Sequence, residues 1–443
     1  MQKFFGQIGC RWQAYKSAAV SLSAFVLLLS LGVQAQDQEQ EGYRNQRLLE
    51  YRNQVPVIDY EQATSDAVAE LFAAIKAGET SLAYEGESGY LNDLLAAFGI
   101  SPSSQVLVFS KTALKGRLIS PEAPRAIYFN DEVYVAIVPG TPALEVASMD
   151  SLLGPVFYEI PQQADEISLR RHTSRCLSCH VKNFMTDGGV PIFMLQTTLV
   201  DKSGEAFSFL GRGPASTSAT PLEQRWGGWY VSGFHGAQGH LGNLSFTTQP
   251  PHPENLDLSA NGNRAQLDGL FDTSRYLTGY SDIVALMVMQ HQVDVQNEIA
   301  RVNYRVRTIL AREGEISAER LAEESEDLLQ ALFMSDEITL TEPVSGTSGF
   351  TEHFQGLGPV GRDGKSLREL DLQERLFKYP LSYQIYTAAF DALPEQALDY
   401  LGRRIRAILA GEDQTEAFAH ISAAQRNDML AILQETKPAL LEE

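Results

Sequence analysis

Two cysteines and a histidine at close spacing are the residues of this sequence best suited to chemistry. Cys176, Cys179 and His180 form a C-x-x-C-H pattern. Two thiols three residues apart can reach the vinyl groups of one haem, and the following histidine can then bind its iron. The chain has three cysteines, and the third, Cys10, lies in a predicted leader. We therefore predict one covalently attached haem c, bound by Cys176, Cys179 and His180, with His180 as axial iron ligand.

Two other interpretations of the cysteine pair stay open. A redox dithiol of the thioredoxin kind normally opens a helix inside a βαβ unit, and the sequence around the motif does not show that pattern. A structural zinc site would need further Cys or paired His ligands, and we expect neither a second C-x-x-C nor an H-x(3–5)-H pair.

The sixth iron ligand decides between electron transfer and catalysis, because an open position admits a substrate. His240 lies in a glycine-rich loop that could deliver a ligand. His291 falls on the apolar stripe of a predicted helix, where a lone histidine is also a common core residue. We carry forward His240, His291 and an open or water-bound position as alternatives. Further candidates are His235, Met185, Met194, Met287 and Met289.

Several arginines flank the motif. Arg170, Arg171 and Arg175 precede it, and Arg212 and Arg225 follow. Guanidinium groups pair well with carboxylates, so Arg171 and Arg175 are candidates for contacts with the haem propionates. A solvated basic run explains the same residues.

The N-terminus has the features of a secretory signal. Cations precede an apolar run in residues 1–35, and the small residue Ala35 stands before a polar stretch. The apolar run is short for a membrane span, although an uncleaved anchor remains the alternative. We predict a periplasmic or secreted protein with no membrane span after cleavage, which suits attachment of c-type haem outside the bacterial inner membrane.

The composition is acidic. The chain has 35 Lys and Arg against 56 Asp and Glu, for a formal charge of −21, and loss of the cationic leader would make it more acidic still. This excludes a nucleic-acid-binding function. The acidity could steer a redox partner protein or simply favour solubility, and it leaves the oligomeric state open.

Changes in residue pattern divide the chain into an α+β fold. We predict a small mixed N-terminal part, a middle part rich in Gly and aromatic residues that binds the haem, and a mainly helical C-terminal half. In the middle part, the glycines of Trp226-Gly227-Gly228-Trp229-Tyr230 would let backbone lie close to a flat cofactor. The predicted regions are 1–35 signal peptide, 36–60 flexible lead-in, 61–165 α+β scaffold, 166–275 c-type haem-binding region and 276–443 helical region.

The periodicity of apolar residues predicts the elements within these regions. A turn is predicted at Asn130-Asp131, and Ser281 is predicted to cap the longest helix. Predicted strands are Gln105–Ser110, Arg125–Phe129, Glu132–Val138 and Pro155–Ile160. Predicted helices are Ala67–Ile75, Tyr90–Phe98, Ser281–Arg312, Ala318–Phe333, Leu367–Phe377, Pro394–Leu409 and Glu416–Glu435.

Several stretches carry a resemblance to a known group. They are 105–112, 128–131, the C-x-x-C-H motif, 225–230, 281–287 and 375–383, and through them the chain resembles exported bacterial cytochrome c domain-containing proteins with a single such motif. The resemblance spans about Pro56 to the C-terminus. It implies one c-type haem and export, but no substrate. Similar proteins tend to have His-Met-Gly-Asn where this chain has His240-Leu241-Gly242-Asn243, and Met-His-Asn where it has Val295-Gln296-Asn297. Because Leu241 cannot bind iron, the difference favours His240 and His291 over methionine.

Three functions follow as hypotheses. The first is an exported mono-haem c-type cytochrome that takes part in electron transfer with a redox partner protein. The alternative is a peroxidase-like haem oxidoreductase with an open distal site, where Arg212, His235 or His240 would act as acid–base or charge-stabilising groups. The second alternative is a haem-based sensor or structural module. Whether the protein is an enzyme stays undecided at this point.

Overall fold

The computed structural model describes residues 58–113, 115–164, 166–181, 189–207, 215–252, 255–258, 262–413 and 415–442. The predicted signal peptide, residues 36–57 and the candidates Met185 and Arg212 lie outside them. In the described part of the chain, no helix is long and apolar enough to cross a membrane. The stretch Val55–Glu443 forms one compact unit.

An antiparallel sheet of seven strands lies at the centre of the described residues, in the order β6-β5-β4-β3-β2-β1-β7. The chain therefore adds β2 to β6 one after another on one side of β1, while β7 returns to pair with its other side. The strands are β1 Val106–Val108, β2 Arg125–Phe129, β3 Val133–Ile137, β4 Ala143–Asp150, β5 Gly154–Pro161, β6 Arg170–Arg171 and β7 Trp229–Tyr230.

The predicted turn between β2 and β3 is confirmed. The Asn130 side chain accepts hydrogen bonds from the backbone N–H groups of Glu132 and Val133 at 3.0 and 2.8 Å. An Asn side chain that bonds the next backbone amides mimics a turn, which explains why it stands there. Strand β4 was not predicted, since its Ala, Glu, Ser and Asp content gives it a weak strand signal.

Helices account for the rest of the regular structure, so the α+β class is confirmed. One face of the sheet is joined to α1 through the side chain of Asp66, the cap of that helix, which accepts a hydrogen bond from Tyr158 of β5 at 2.5 Å. The helices are α1 Ala67–Ala77, α2 Leu91–Ala97, α3 Ile283–Glu313, α4 Ala318–Leu332, α5 Phe350–Gly356, α6 Ala388–Asp391, α7 Glu395–Leu409 and α8 Ala423–Thr436.

Helix α3 crosses the end of the sheet where the hairpins turn. Gln296 donates to the carbonyl of Asp131 in the β2–β3 turn at 2.7 Å. Asn303 and Tyr304 donate to carbonyls in the β4–β5 turn at 2.7 and 3.0 Å. A buried helix with polar side chains is stable here because those side chains satisfy the exposed carbonyls of the turns.

Three predictions about the C-terminal part were wrong, and one of them is the start of the last helix, which is Ala423 and not Glu416. Asp282, not Ser281, caps α3 and accepts from the N–H of Val284 at 2.8 Å, while the Ser281 hydroxyl donates to the Tyr230 carbonyl at 2.6 Å. The stretch from Leu367 to Phe377 is irregular and not helical. The guanidinium of Arg368 there packs over the rings of Phe354 and Tyr383 and pairs with Asp131.

Candidate functional site

The C-x-x-C-H motif forms one helical turn. The N–H of Ser178 donates to the carbonyl of Ser174 at 3.1 Å, and the N–H of His180 donates to that of Cys176 at 3.0 Å. Positions three and four residues apart share a face of such a turn, so Cys176, Cys179 and His180 project from one side. Both cysteines are free, and Cys179 is exposed.

The His180 ring is held by a backbone carbonyl. Its Nδ1 lies 3.0 Å from the carbonyl oxygen of Ile192, and the N–H of Ile192 donates in return to the His180 carbonyl at 3.0 Å. A carbonyl only accepts, so Nδ1 must carry the proton and Nε2 must carry the lone pair. No described residue gives Nε2 a hydrogen-bond partner. This is the arrangement in which proteins present histidine to a metal.

The protonation of His180 also suits a ligand. Burial lowers the pKa of its imidazole to about 4, against the opposing effect of the Ile192 carbonyl. The ring is therefore neutral at pH 7. Its other neighbour is Phe157 of β5, with ring centroids 4.7 Å apart.

Helix α3 holds the irregular segment that contains Ile192 in place. The Asn297 side chain accepts from the Phe193 N–H at 2.8 Å and donates to the Phe193 carbonyl at 3.0 Å. The Phe193 ring packs against Tyr134 of β3, at 4.9 Å between centroids. Sequence reasoning missed Ile192, Phe193 and Asn297, because no local pattern reveals a contact 104 residues apart.

The thiol environment differs from that of a redox dithiol. Burial, and next the nearby Glu145, raises the pKa of the Cys176 thiol to about 12. Reactive C-x-x-C pairs depend on a lowered pKa, so this feature is against the thioredoxin-like interpretation. Among the described residues, no cluster of three or more His, Cys, Asp or Glu side chains is arranged to hold a metal ion. A haem iron takes four ligands from the porphyrin and does not require such a cluster.

Charged side chains from three strands lie within electrostatic range of Cys176 and His180. Arg125 of β2 pairs with Glu145 of β4 at 3.0 Å. Glu159 of β5 lies opposite Glu145 in the sheet and pairs with two cations, Lys115 at 3.7 Å and Arg170 at 3.5 Å. Nε2 of His172 also lies 3.5 Å from the Glu159 carboxylate. Arg125 and Glu159 are single charges in otherwise apolar strands, and this signal in the sequence was missed.

The two arginines predicted to contact propionates have different surroundings. Arg171 donates to the backbone carbonyls of Tyr60 and Gln62 and its guanidinium lies over the Tyr60 ring, so it ties β6 to the start of the described chain. Arg175 is exposed directly before Cys176 and keeps its side chain available. Arg225 is buried, with its guanidinium on the carbonyls of Ser218 and Thr220.

His291 has the contacts of a core residue. Its Nδ1 pairs with Glu337 and its Nε2 lies 2.8 Å from the Ser382 hydroxyl. The ring packs against Phe377 and Tyr383, with centroids 4.9 and 6.2 Å away. Since both nitrogens are engaged, His291 has no lone pair left for iron in this arrangement.

His235 and His240 come together, with ring centroids 4.8 Å apart, in the loop that follows β7. Their H-x-x-x-x-H spacing is one that zinc sites use, so the expectation that the chain has no such histidine pair was wrong. The N–H of Gly242 donates to Nδ1 of His240 at 3.0 Å, so the proton of neutral His240 is on Nε2, which cannot then bind a metal. Burial, then His235, lowers the pKa of His240 to about 3.

The two groups of site residues lie at different parts of the sheet. The motif packs on β5 and the histidine pair follows β7, and five strand spacings of about 4.8 Å, about 24 Å in all, separate those strands. The structure thus brings Cys176, Cys179 and His180 together and shows no contact between them and the histidine pair in the described residues. Of the methionine candidates, Met194 is half-buried two residues after Ile192, and Met287 and Met289 are buried in α3.

Taken together, the described residues form an α+β unit with a C-x-x-C-H turn whose His180 packs on Phe157 of β5. Searches with this chain against family models, curated proteins and solved structures find no match.

Proposed function

We propose that this protein is an exported mono-haem c-type cytochrome that takes part in electron transfer. One observation supports the proposal above all others. The thiols of Cys176 and Cys179 and the imidazole of His180 share one face of a helical turn, and the Ile192 carbonyl holds Nδ1 of His180 so that Nε2 carries the lone pair. A half-exposed turn of this kind can accept a large flat group from solvent.

The residues of the turn fit a covalently attached haem. Cys176 and Cys179 would form thioethers with its vinyl groups, and His180 would be the axial ligand. When bound, the haem supplies an iron that gains and loses one electron. The protein's part is to keep the His180 imidazole neutral and oriented, with Phe157 packed against the imidazole ring. The exposed cation of Arg175 is well placed for a propionate.

The regional assignments belong to the same proposal. Residues 166–275 would be the haem-binding region, between an α+β scaffold and a mainly helical C-terminal half. The cationic and apolar leader supports export to the periplasm or beyond, where a redox partner protein would meet the haem.

A peroxidase-like haem oxidoreductase is the second candidate. It is favoured by the engagement of both His291 nitrogens and by the protonated Nε2 of His240. Without either histidine, the distal position would hold water or a ligand from the residues that the structure leaves undescribed. A haem-based sensor would share this open position.

The test is covalent haem in the mature protein after expression with c-type maturation factors. We expect haem to stay on the wild-type chain through denaturing electrophoresis and to be lost in the Cys176→Ala/Cys179→Ala double variant. Ser178→Ala, which changes one of the two residues between the cysteines, is the matched control and should keep the haem. Haem retained by the double variant, or missing from the wild type, would overturn the proposal.

Carbon monoxide then separates the two functions. Six-coordinate iron that does not bind carbon monoxide would support the electron-carrier function. Rapid binding of carbon monoxide to the reduced protein would support the open distal site instead. Absorbance spectra of the oxidised and reduced protein, with and without the gas, are sufficient for this decision.

A further inference from the structure

An ion pair lies on the sheet face that carries His180. Arg125 Nη1 is 3.0 Å from Glu145 Oε2. The strand register puts Glu145 opposite Glu159, and Phe157, two residues before Glu159, projects from that same face and contacts the His180 ring. The ion pair and the ring of the proposed ligand are therefore neighbours on one surface of the sheet.

The two charges are only partly screened. The Arg125 and Glu145 side chains are 21% and 25% exposed, so water covers a minor part of each. Both charges act on the imidazole in opposite directions, since Arg125 lowers and Glu145 raises the pKa of His180, although burial is the larger cause of its shift. A charge that reaches the imidazole also reaches a metal bound to that imidazole.

We propose that the Arg125–Glu145 pair tunes the reduction potential of the iron bound by His180. This inference rests on the proposed function. The ferric form of a haem iron held by His180 would carry one more positive charge than the ferrous form, and the electron would go to the redox partner. A nearby cation opposes that charge and raises the potential, whereas a nearby anion stabilises it and lowers the potential.

The experiment measures the midpoint potential of single-charge variants by spectroelectrochemistry. Arg125→Gln should lower the potential and Glu145→Gln should raise it. A unit charge about 10 Å away, in a dielectric between that of a protein surface and that of water, changes an equilibrium constant several-fold. We therefore expect about a threefold change in the reduction constant, about 28 mV for a one-electron couple.

Three further variants separate charge from structure. Arg125→Lys keeps the charge and should keep a potential close to that of the wild type. The Arg125→Gln/Glu145→Gln double variant should return toward the wild-type potential. Lys437→Gln removes a cation that is paired with Asp391 instead, and it should leave the potential unchanged.

Different results overturn the proposed function and the tuning proposal. Absence of covalent haem from the wild-type chain would overturn the proposed function, and the tuning proposal with it. With haem attached, potentials of Arg125→Gln and Glu145→Gln that move in the same direction, or that stay at the wild-type value, would overturn the tuning proposal alone. A merely structural effect of the two substitutions gives no reason for opposite signs.

Discussion

Replacement of His291 separates a core residue from an iron ligand. In the structure, this histidine joins Glu337 to Ser382 and is 1% exposed. We predict that His291→Ala strongly destabilises the protein and leaves the ligation of the proposed haem unchanged. The sequence alone supported either role for His291, so the substitution decides a question that the pattern left open.

The size of the effect follows from the contacts. A hydrogen bond to a charged group contributes about 1.5–3 kcal/mol and a neutral one about 0.5–1.5 kcal/mol. Truncation also leaves Glu337 without its partner and opens a cavity beside Phe377. We therefore expect the free energy of unfolding to fall by about 3–5 kcal/mol, the usual cost of breaking a buried pair.

Urea unfolding, followed by far-UV circular dichroism, measures this loss, and the visible spectrum of the folded protein reports iron ligation. Ser382→Ala is the matched variant, because it removes the other hydrogen-bond partner without touching a candidate ligand. The two substitutions should be coupled, so that the double variant loses less than the sum of the singles. His291→Ala that keeps its stability and turns the iron high-spin would refute the reasoning.

Two further predictions concern pH and backbone strain. Burial raises the pKa of Asp294 from 3.8 to about 6, so the folded state holds its proton more tightly than the unfolded state. The free energy of unfolding of the wild type, relative to Asp294→Asn, should therefore fall by up to about 3 kcal/mol as the pH rises from about 4 to about 6, and a difference that is flat in urea titrations across this range would contradict the assignment. Gly228 has a φ of +80°, and an added Cβ would lie 2.6 Å from the Cβ of Ser110. Gly228→Ala should cost about 2–4 kcal/mol in thermal or urea unfolding, against about 1 kcal/mol for Gly78→Ala, whose φ is +75° with open space around it; equal losses would show that crowding is unimportant.

The elements that the sequence predicted well are those with a local cause. The apolar stripe of α3 and the turn at Asn130 are both determined by residues that are close together in the sequence. Strand order is different, because it depends on which surfaces meet. Nothing in the sequence around Trp229 indicates that β7 pairs with β1, more than a hundred residues earlier.

The surroundings of the motif depend on the same long-range pairings. The C-x-x-C-H spacing identifies the three residues that could attach a haem, but the charged group near them comes from strands far upstream. Arg125 and Glu145 come next to the motif only through the register of β2 to β5. The glycines of the Trp-Gly-Gly-Trp stretch show that a local pattern can also suggest the wrong neighbour. We expected Gly228 to make room for a flat cofactor. In the structure, the space that a side chain at Gly228 would occupy is filled instead by Ser110 and the Thr198 carbonyl.

The contrast between His180 and His240 shows what a sequence cannot specify. Both are histidines near glycines and aromatic rings, and both are neutral at pH 7 because burial lowers their pKa. At Nδ1, His180 meets a carbonyl, which only accepts, and His240 meets an N–H group, which only donates. The proton is therefore on Nδ1 of His180 and on Nε2 of His240. A backbone contact thus prepares the Nε2 atom of one histidine to bind a metal and prevents that of the other from doing so.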